Sequence, residues 1–189
     1  MMNKPDLHEK KRHISLSAAT TIRLLPQAYP FVLLDRVRAC YPEDGLCHSI
    51  KNITMTDPVL SGHFPGYPIY PGVLVIEAMI QNACVIPTTR DLLKHFGSYE
   101  ALLELFSKPN NAIPDVANKY FLADSKVKHI EPIYPGDTLQ LEAKIILERD
   151  GMIVFKTAAT VEGRDVARGQ LSMARALAEA MPSVADRIG

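Results

Sequence analysis

The chain has 189 residues, 47% apolar and 22% charged, which suits one folded domain with a sizeable core and does not suit a disordered tract. Lys plus Arg and Asp plus Glu each number 21, so the formal net charge is zero and the basic footprint of a nucleic-acid binder is missing. No run of 18 apolar residues marks a membrane span, and MMNKPDLHEKKRH has no apolar stretch behind its charges to act as a secretory leader. The expectation is a cytoplasmic protein.

Residues 1–20 read as a weakly structured lead-in, with KKRH at 10–13 as a solvated basic end. FVLLDRVRAC (31–40) and LCHSIKNI (46–53) flank a turn at Pro42, Asp44 and Gly45, the pattern of a β-hairpin. Cys40 and Cys47 face each other across that turn. With Cys84 they lack paired metal spacing, so a reduced protein is preferred over a hairpin disulfide, and no metal is expected. Residues 54–71 carry Pro58, Pro65, Pro68 and Pro71 with Gly62 and Gly66, which excludes a regular element and predicts a fixed loop. Pro71–Gly72 then opens a helix over 72–86, ended by Pro87 and apolar on nearly every side. RDLLKHF and YEALLELF predict one or two short helices between 88 and 118, and SKPNNAIPD reads as loop.

From Tyr120 the pattern turns to strands, with DG at 150–151 and EG at 162–163 as tight turns of an antiparallel meander. The expectation is an α+β domain over 21–176, a bent sheet wrapped around one apolar helix, with a tail at 177–189. A second copy of the chain would cover part of that helix.

Within VLVIEAMI one carboxylate, Glu77, shares a helix face with Val73, Ile80 and Cys84 rather than a polar stripe. An unpaired buried carboxylate costs several kcal/mol, so Glu77 must pair, accept local hydrogen bonds or hold its proton. The last condition suits a general acid. His63, in the proline-rich loop, is the nearby base candidate, although each residue alone reads as well as a structural one. The helix start adds unpaired amides and a favourable dipole for developing negative charge, and Gly72 leaves room for a carbonyl. Base, amide and acid are the parts that elimination from a β-hydroxyacyl thioester needs.

YPFVLLDR (29–36) followed by GHFPGYPIYPGVLVIEAMIQ (62–81) resembles the (3R)-hydroxyacyl-acyl-carrier-protein dehydratases of the FabZ type. YF at 120–121, EPIYPGD at 131–137 and the closing strands extend the likeness to about 25–174. The resemblance implies the hotdog fold and reversible dehydration on acyl-carrier-protein, with no cofactor beyond the carrier's phosphopantetheine arm. It implies His63 as base, Glu77 as acid, Gly72 N–H on the thioester carbonyl and Gln81 as the helix glutamine beside Glu77. Phe64, Tyr67, Tyr70 and Val73 fall where substrate would contact the loop and helix start. It further implies a homodimer whose sites take His from one chain and Glu from the other; in many relatives three dimers form a hexamer.

Tyr67 and Tyr70 depart from the usual residues, 86–118 is longer than in compact members, and VKHIEP at 127–132 is less basic than expected. Arg36, Lys126 and Lys128 are the candidates for meeting an acidic carrier or its phosphate. Two alternatives stand beside dehydration: a hotdog thioesterase, and a degenerate partner subunit.

Overall fold

The computed structural model describes residues 12–108, 113–114 and 119–176. Its elements are β1 (Ile14–Leu16), α1 (Ala18–Leu24), β2 (Arg36–Tyr41), β3 (Leu46–Asn52), α2 (Gly72–Phe96), α3 (Tyr99–Ser107), β4 (Tyr120–His129), β5 (Thr138–Arg149), β6 (Met152–Val161) and β7 (Arg164–Arg175), with one 3-10 turn at Pro58–Ser61 inside the stretch expected to hold no regular element. The strands form one antiparallel sheet in the order β1-β2-β3-β5-β6-β7-β4, packed against α2. This is the α+β hotdog arrangement.

Period-two alternation explains which faces are inward. Leu139, Leu141 and Ala143 on β5, and Ile153, Phe155, Ala159 and Val161 on β6, are all buried. Asp150–Gly151 and Glu162–Gly163 each place two successive residues at positive φ, between 51° and 80°, the conformation that two-residue hairpins need. The meander therefore holds for β5, β6 and β7. β4 does not join it where expected: it pairs with β7 and forms the sheet edge. Two-residue turns force neighbours together, whereas the connector 130–137 is free to cross the sheet.

α2 supplies the core. By length and composition it could cross a membrane, yet 72% of its apolar window is buried inside this chain, against the sheet. The helix does not stop at 86. It runs through a buried Pro87 to Phe96 and ends at Gly97, whose φ is 75° and whose N–H reaches Leu93 C=O at 2.9 Å. An interior proline costs about 3 kcal/mol. Burial of Thr89 and Leu92 beyond it offsets that, a buried leucine alone contributing about 1.5–3 kcal/mol. RDLLKHF is thus the end of α2 rather than a new helix. α3 is separate: Ser98 caps it by accepting from Ala101 N–H at 3.1 Å, and Tyr99, Leu102 and Phe106 form its buried face.

Two further expectations change. β1 and the first residues of α1 lie inside the stretch read as lead-in, with Ile14 and Leu16 fully buried and Ser17 capping α1. The hairpin's first strand starts at Arg36, not at 31. On β3 the inward set is Cys47, Ser49 and Lys51, while Leu46, His48 and Ile50 face outward. Ser49 Oγ donates to Asn82 Oδ1 of α2 at 2.6 Å and Lys51 meets Asp57 at 3.3 Å, so these two buried polar side chains of β3 are satisfied. Cys40 and Cys47 are direct register partners, and both thiols are free. The predicted tail at 177–189 lies outside the described residues.

Candidate active site

The loop before α2 is held by its own backbone. Phe64 and Tyr67 exchange N–H···O=C bonds at 2.9–3.0 Å around Gly66, whose φ of 76° requires a glycine. Ile69 N–H donates to His63 C=O at 2.9 Å, and Tyr70 N–H ties the loop to Ile133 C=O at 2.8 Å. His63 Nδ1 lies 2.8 Å from Ile69 C=O. A carbonyl only accepts, so Nδ1 carries the hydrogen and Nε2 presents a lone pair. The half-buried His63 ring stacks on Phe64 at 4.1 Å between centroids.

Glu77 is half-buried one and a half turns into α2 and lines a cavity of about 520 Å³. Ile80, Cys84 and Thr88 continue its lining along the helix, and Phe121, Leu122 and Met173 close it from the sheet. Glu77, Ile80 and Cys84 therefore share the predicted face, while Val73 stands 72% exposed at the helix start. Burial raises the Glu77 pKa, opposed by the Gln81 amide, which donates to Oε1 at 2.9 Å. Among the described residues, Oε2 accepts no hydrogen bond. A carboxyl with raised proton affinity and one free oxygen is the description of a general acid.

Gln81 does more than touch Glu77. Fully buried, it also donates to Phe31 C=O at 2.7 Å and accepts from Leu33 N–H at 2.8 Å. It thereby fastens the 29–36 segment to α2, a physical link between the two sequence blocks. Gln81→Leu leaves two backbone groups without partners, each worth about 1–3 kcal/mol. The expected loss is roughly 2–6 kcal/mol in chemical denaturation. In the same variant the limb of the kcat/KM profile set by Glu77 moves to higher pH, since the bond that lowers its pKa is gone.

The first amides of α2, at Gly72 and Val73, have no acceptor among the described residues, as a helix start dictates. Both donors stand free beside the His63 loop.

The other predicted residues separate. Phe64 and Tyr67 are exposed on the loop, and Tyr67 Oη meets Tyr134 Oη at 3.3 Å. Tyr70 does not line the cavity: only 3% exposed, it packs in the core near Lys51 Nζ, and burial raises its pKa. Lys126 and Lys128 lie exposed on edge strand β4, but Arg36 is on β2, across the sheet from them. The three do not form one patch. His63 is absent from the lining of the cavity that holds Glu77.

One residue in the lining of this cavity escaped sequence reasoning. Gln27, just after α1, lines the same cavity and brings its Nε2 to 3.5 Å from Glu77 Oε1, the oxygen Gln81 already engages. Its only sequence signal is a polar residue between Pro26 and the YPF block. Among the described residues no cluster of three His, Cys, Asp or Glu side chains could hold a metal ion.

Residues 25–112 match the protein family described as a FabA-like domain. A 3-hydroxyacyl-[acyl-carrier-protein] dehydratase FabZ of Ehrlichia chaffeensis is 37% identical over 150 residues, which is 79% of this chain and 88% of the relative. The FabZ of Aliivibrio fischeri is 38% identical over 152 residues, 80% of this chain and 88% of the relative. The solved structure titled "The Dehydratase Heterocomplex ApeI:P from Xenorhabdus doucetiae" matches with a TM-score of 0.65 at 18% identity. It covers 94% of this chain and 99% of that one, a likeness of fold.

Proposed function

Because the chain belongs to the FabZ family of 3-hydroxyacyl-[acyl-carrier-protein] dehydratases, it is a hydro-lyase, and we propose that His63, Gly72 and Glu77 carry its chemistry on (3R)-3-hydroxyacyl thioesters. His63 Nε2 removes a proton from C2. The electrons move toward the thioester oxygen, which the Gly72 N–H at the start of α2 receives. Glu77 then gives its proton to the 3-hydroxyl, the C3–O bond breaks, and water and the trans-2-enoyl thioester leave. Return of the proton from His63 to Glu77 through solvent resets the site, and the reverse sequence hydrates. The step belongs to acyl-chain assembly of the fatty-acid type, with acyl-carrier-protein as the carrier.

The observation that carries these roles is the His63–Ile69 bond, which fixes the imidazole in the form that accepts a proton at Nε2. A mass-resolved assay on 3-hydroxyacyl carrier-protein thioesters tests them: loss of water with retained thioester is the expected result. Release of free acid without water loss would make the chain a thioesterase instead.

The proposed site spans two copies. β4 pairs with β7 on one side and has an open edge on the other. Its first residues, Tyr120 to Leu122, line the Glu77 cavity, and its last, His129, touches Gly72. Antiparallel pairing of β4 with the β4 of a second copy about a two-fold axis sets the Gly72 and His63 end of one against the Glu77 end of the other. That arrangement accounts for a cavity that holds the acid and not the base. It also covers Phe121 and Leu122, which are 53% and 43% exposed in the single chain.

Lys126 and Lys128 remain the carrier contacts of this reading. Lys126→Glu with Lys128→Glu raises KM for a carrier-bound substrate by about tenfold and leaves KM for the coenzyme A thioester unchanged. Steady-state kinetics at two salt concentrations checks this, since the effect shrinks with ionic strength.

A further inference from the structure

We propose that His129 is a second imidazole of the active site, donating a hydrogen bond to the thioester oxygen as that oxygen gains charge beside the Gly72 amide. The inference rests on the dehydratase reading above and adds a group to it.

Its basis is the contact between β4 and the start of α2. A Cβ built on Gly72 would stand 3.0 Å from His129 Cε1, 3.1 Å from Nε2 and 3.3 Å from Nδ1. The imidazole therefore occupies the space that any other residue at position 72 would fill. The helix start does not need glycine for its backbone, since Gly72 has no positive φ. What the missing side chain provides is room for this ring.

The ring is fixed at its root and open at its edge. His129 pairs with Ala167 across β4 and β7, and the next residue, Ile130, donates to Val166 C=O at 2.8 Å. Among the described residues neither ring nitrogen has a hydrogen-bond or ion-pair partner, and the side chain is exposed in the single chain. The amide nitrogen of Gly72 is one bond from the α-carbon the ring covers. An oxygen held at about 2.9 Å from that N–H therefore lies beside the imidazole as well. Neutral or charged, an imidazole always has at least one N–H to give. A donor that meets charge developing on the oxygen lowers the barrier to enolate formation, not the cost of binding substrate.

The test compares His129→Phe, which keeps a ring over Gly72 and has no donor, with His129→Gln, which keeps an N–H donor without the ring. Both are assayed as full chains on a 3-hydroxyacyl carrier-protein thioester, with melting temperature measured alongside. The expected result is about a tenfold fall in kcat and kcat/KM for His129→Phe at nearly constant KM, most of it recovered in His129→Gln. Exchange of the C2 proton of a saturated acyl thioester falls by the same factor, because it passes through the same enolate. Wild-type kcat in His129→Phe overturns the proposal, as does a loss that glutamine does not relieve or one that tracks a lowered melting temperature. Failure of the unaltered protein to dehydrate any such thioester would instead overturn the dehydratase reading itself.

Discussion

Replacing Glu77 with glutamine lowers kcat for dehydration by about 10²–10⁴-fold, the usual contribution of a positioned proton donor, while the protein stays folded. Glutamine keeps the shape and still accepts from the Gln81 amide, which reaches Oε1 at 2.9 Å, but it has no proton to give the leaving hydroxyl. Stability separates this from a packing defect. Burial raises the Glu77 pKa, so the native state holds the proton more tightly than the unfolded chain does. The stability tied to that proton is fully present below the unfolded carboxyl pKa and is lost as pH rises through the folded one. Once pH exceeds the folded-state pKa, an ionised Glu77 is a burden that a neutral amide in its place would not carry. The melting temperature of Glu77→Gln is at least that of the unaltered protein above that pKa, and the gap closes toward the ordinary carboxylic-acid range. An unchanged kcat would remove Glu77 from the acid role, and a lowered melting temperature would make it structural.

The parts of this site legible in the sequence are those set by short-range rules. Four prolines and two glycines in 54–71 allow no more than the single 3-10 turn at Pro58–Ser61, so the stretch that carries His63 had to be a loop. A lone carboxylate among VLVIEAMI demanded a local partner, and Gln81, one turn on, is that partner. The DG and EG turns placed β5, β6 and β7 side by side because a two-residue turn leaves no other choice.

What could not be read depends on contacts distant in sequence. Helix α2 passes Pro87 because Thr89 and Leu92 find cover, and nothing near Pro87 announces that cover. On β3 alternation alone would turn Leu46 and Ile50 inward. Asn82 and Asp57 reverse this by satisfying Ser49 and Lys51. Gln27 approaches Glu77 across fifty residues, and His129 touches Gly72 only because β4 crosses to the far edge of the sheet. The resemblance to a family carried His63, Gly72 and Glu77 residue by residue. It could not carry Gln27, which lies before the YPFVLLDR block, or His129, which lies in VKHIEP, where this chain departs from the family pattern.

Mixing two inactive chains should restore activity if the base and acid of each site come from different copies. His63→Asn removes the base while keeping a side-chain amide able to donate to Ile69 C=O, the partner His63 has at 2.8 Å. Glu77→Gln removes the acid. A dimer of either variant alone has no complete site. A mixed dimer, isolated through a different tag on each chain, joins His63 of the Glu77→Gln chain with Glu77 of the His63→Asn chain. That site is intact, and the other lacks both groups. The expected rate is about half that of the unaltered dimer, because a two-fold interface makes two equivalent sites and the mixture rebuilds one. A site contained in one chain gives a mixed dimer as inactive as its parents. The physical reason to expect the first outcome is the open edge of β4 together with the placement of the two groups. Glu77 lines a cavity walled by the start of that strand, whereas the loop of His63 is tied through Tyr70 to Ile133 beyond its end. Reversing one strand against its copy is what brings those two ends together.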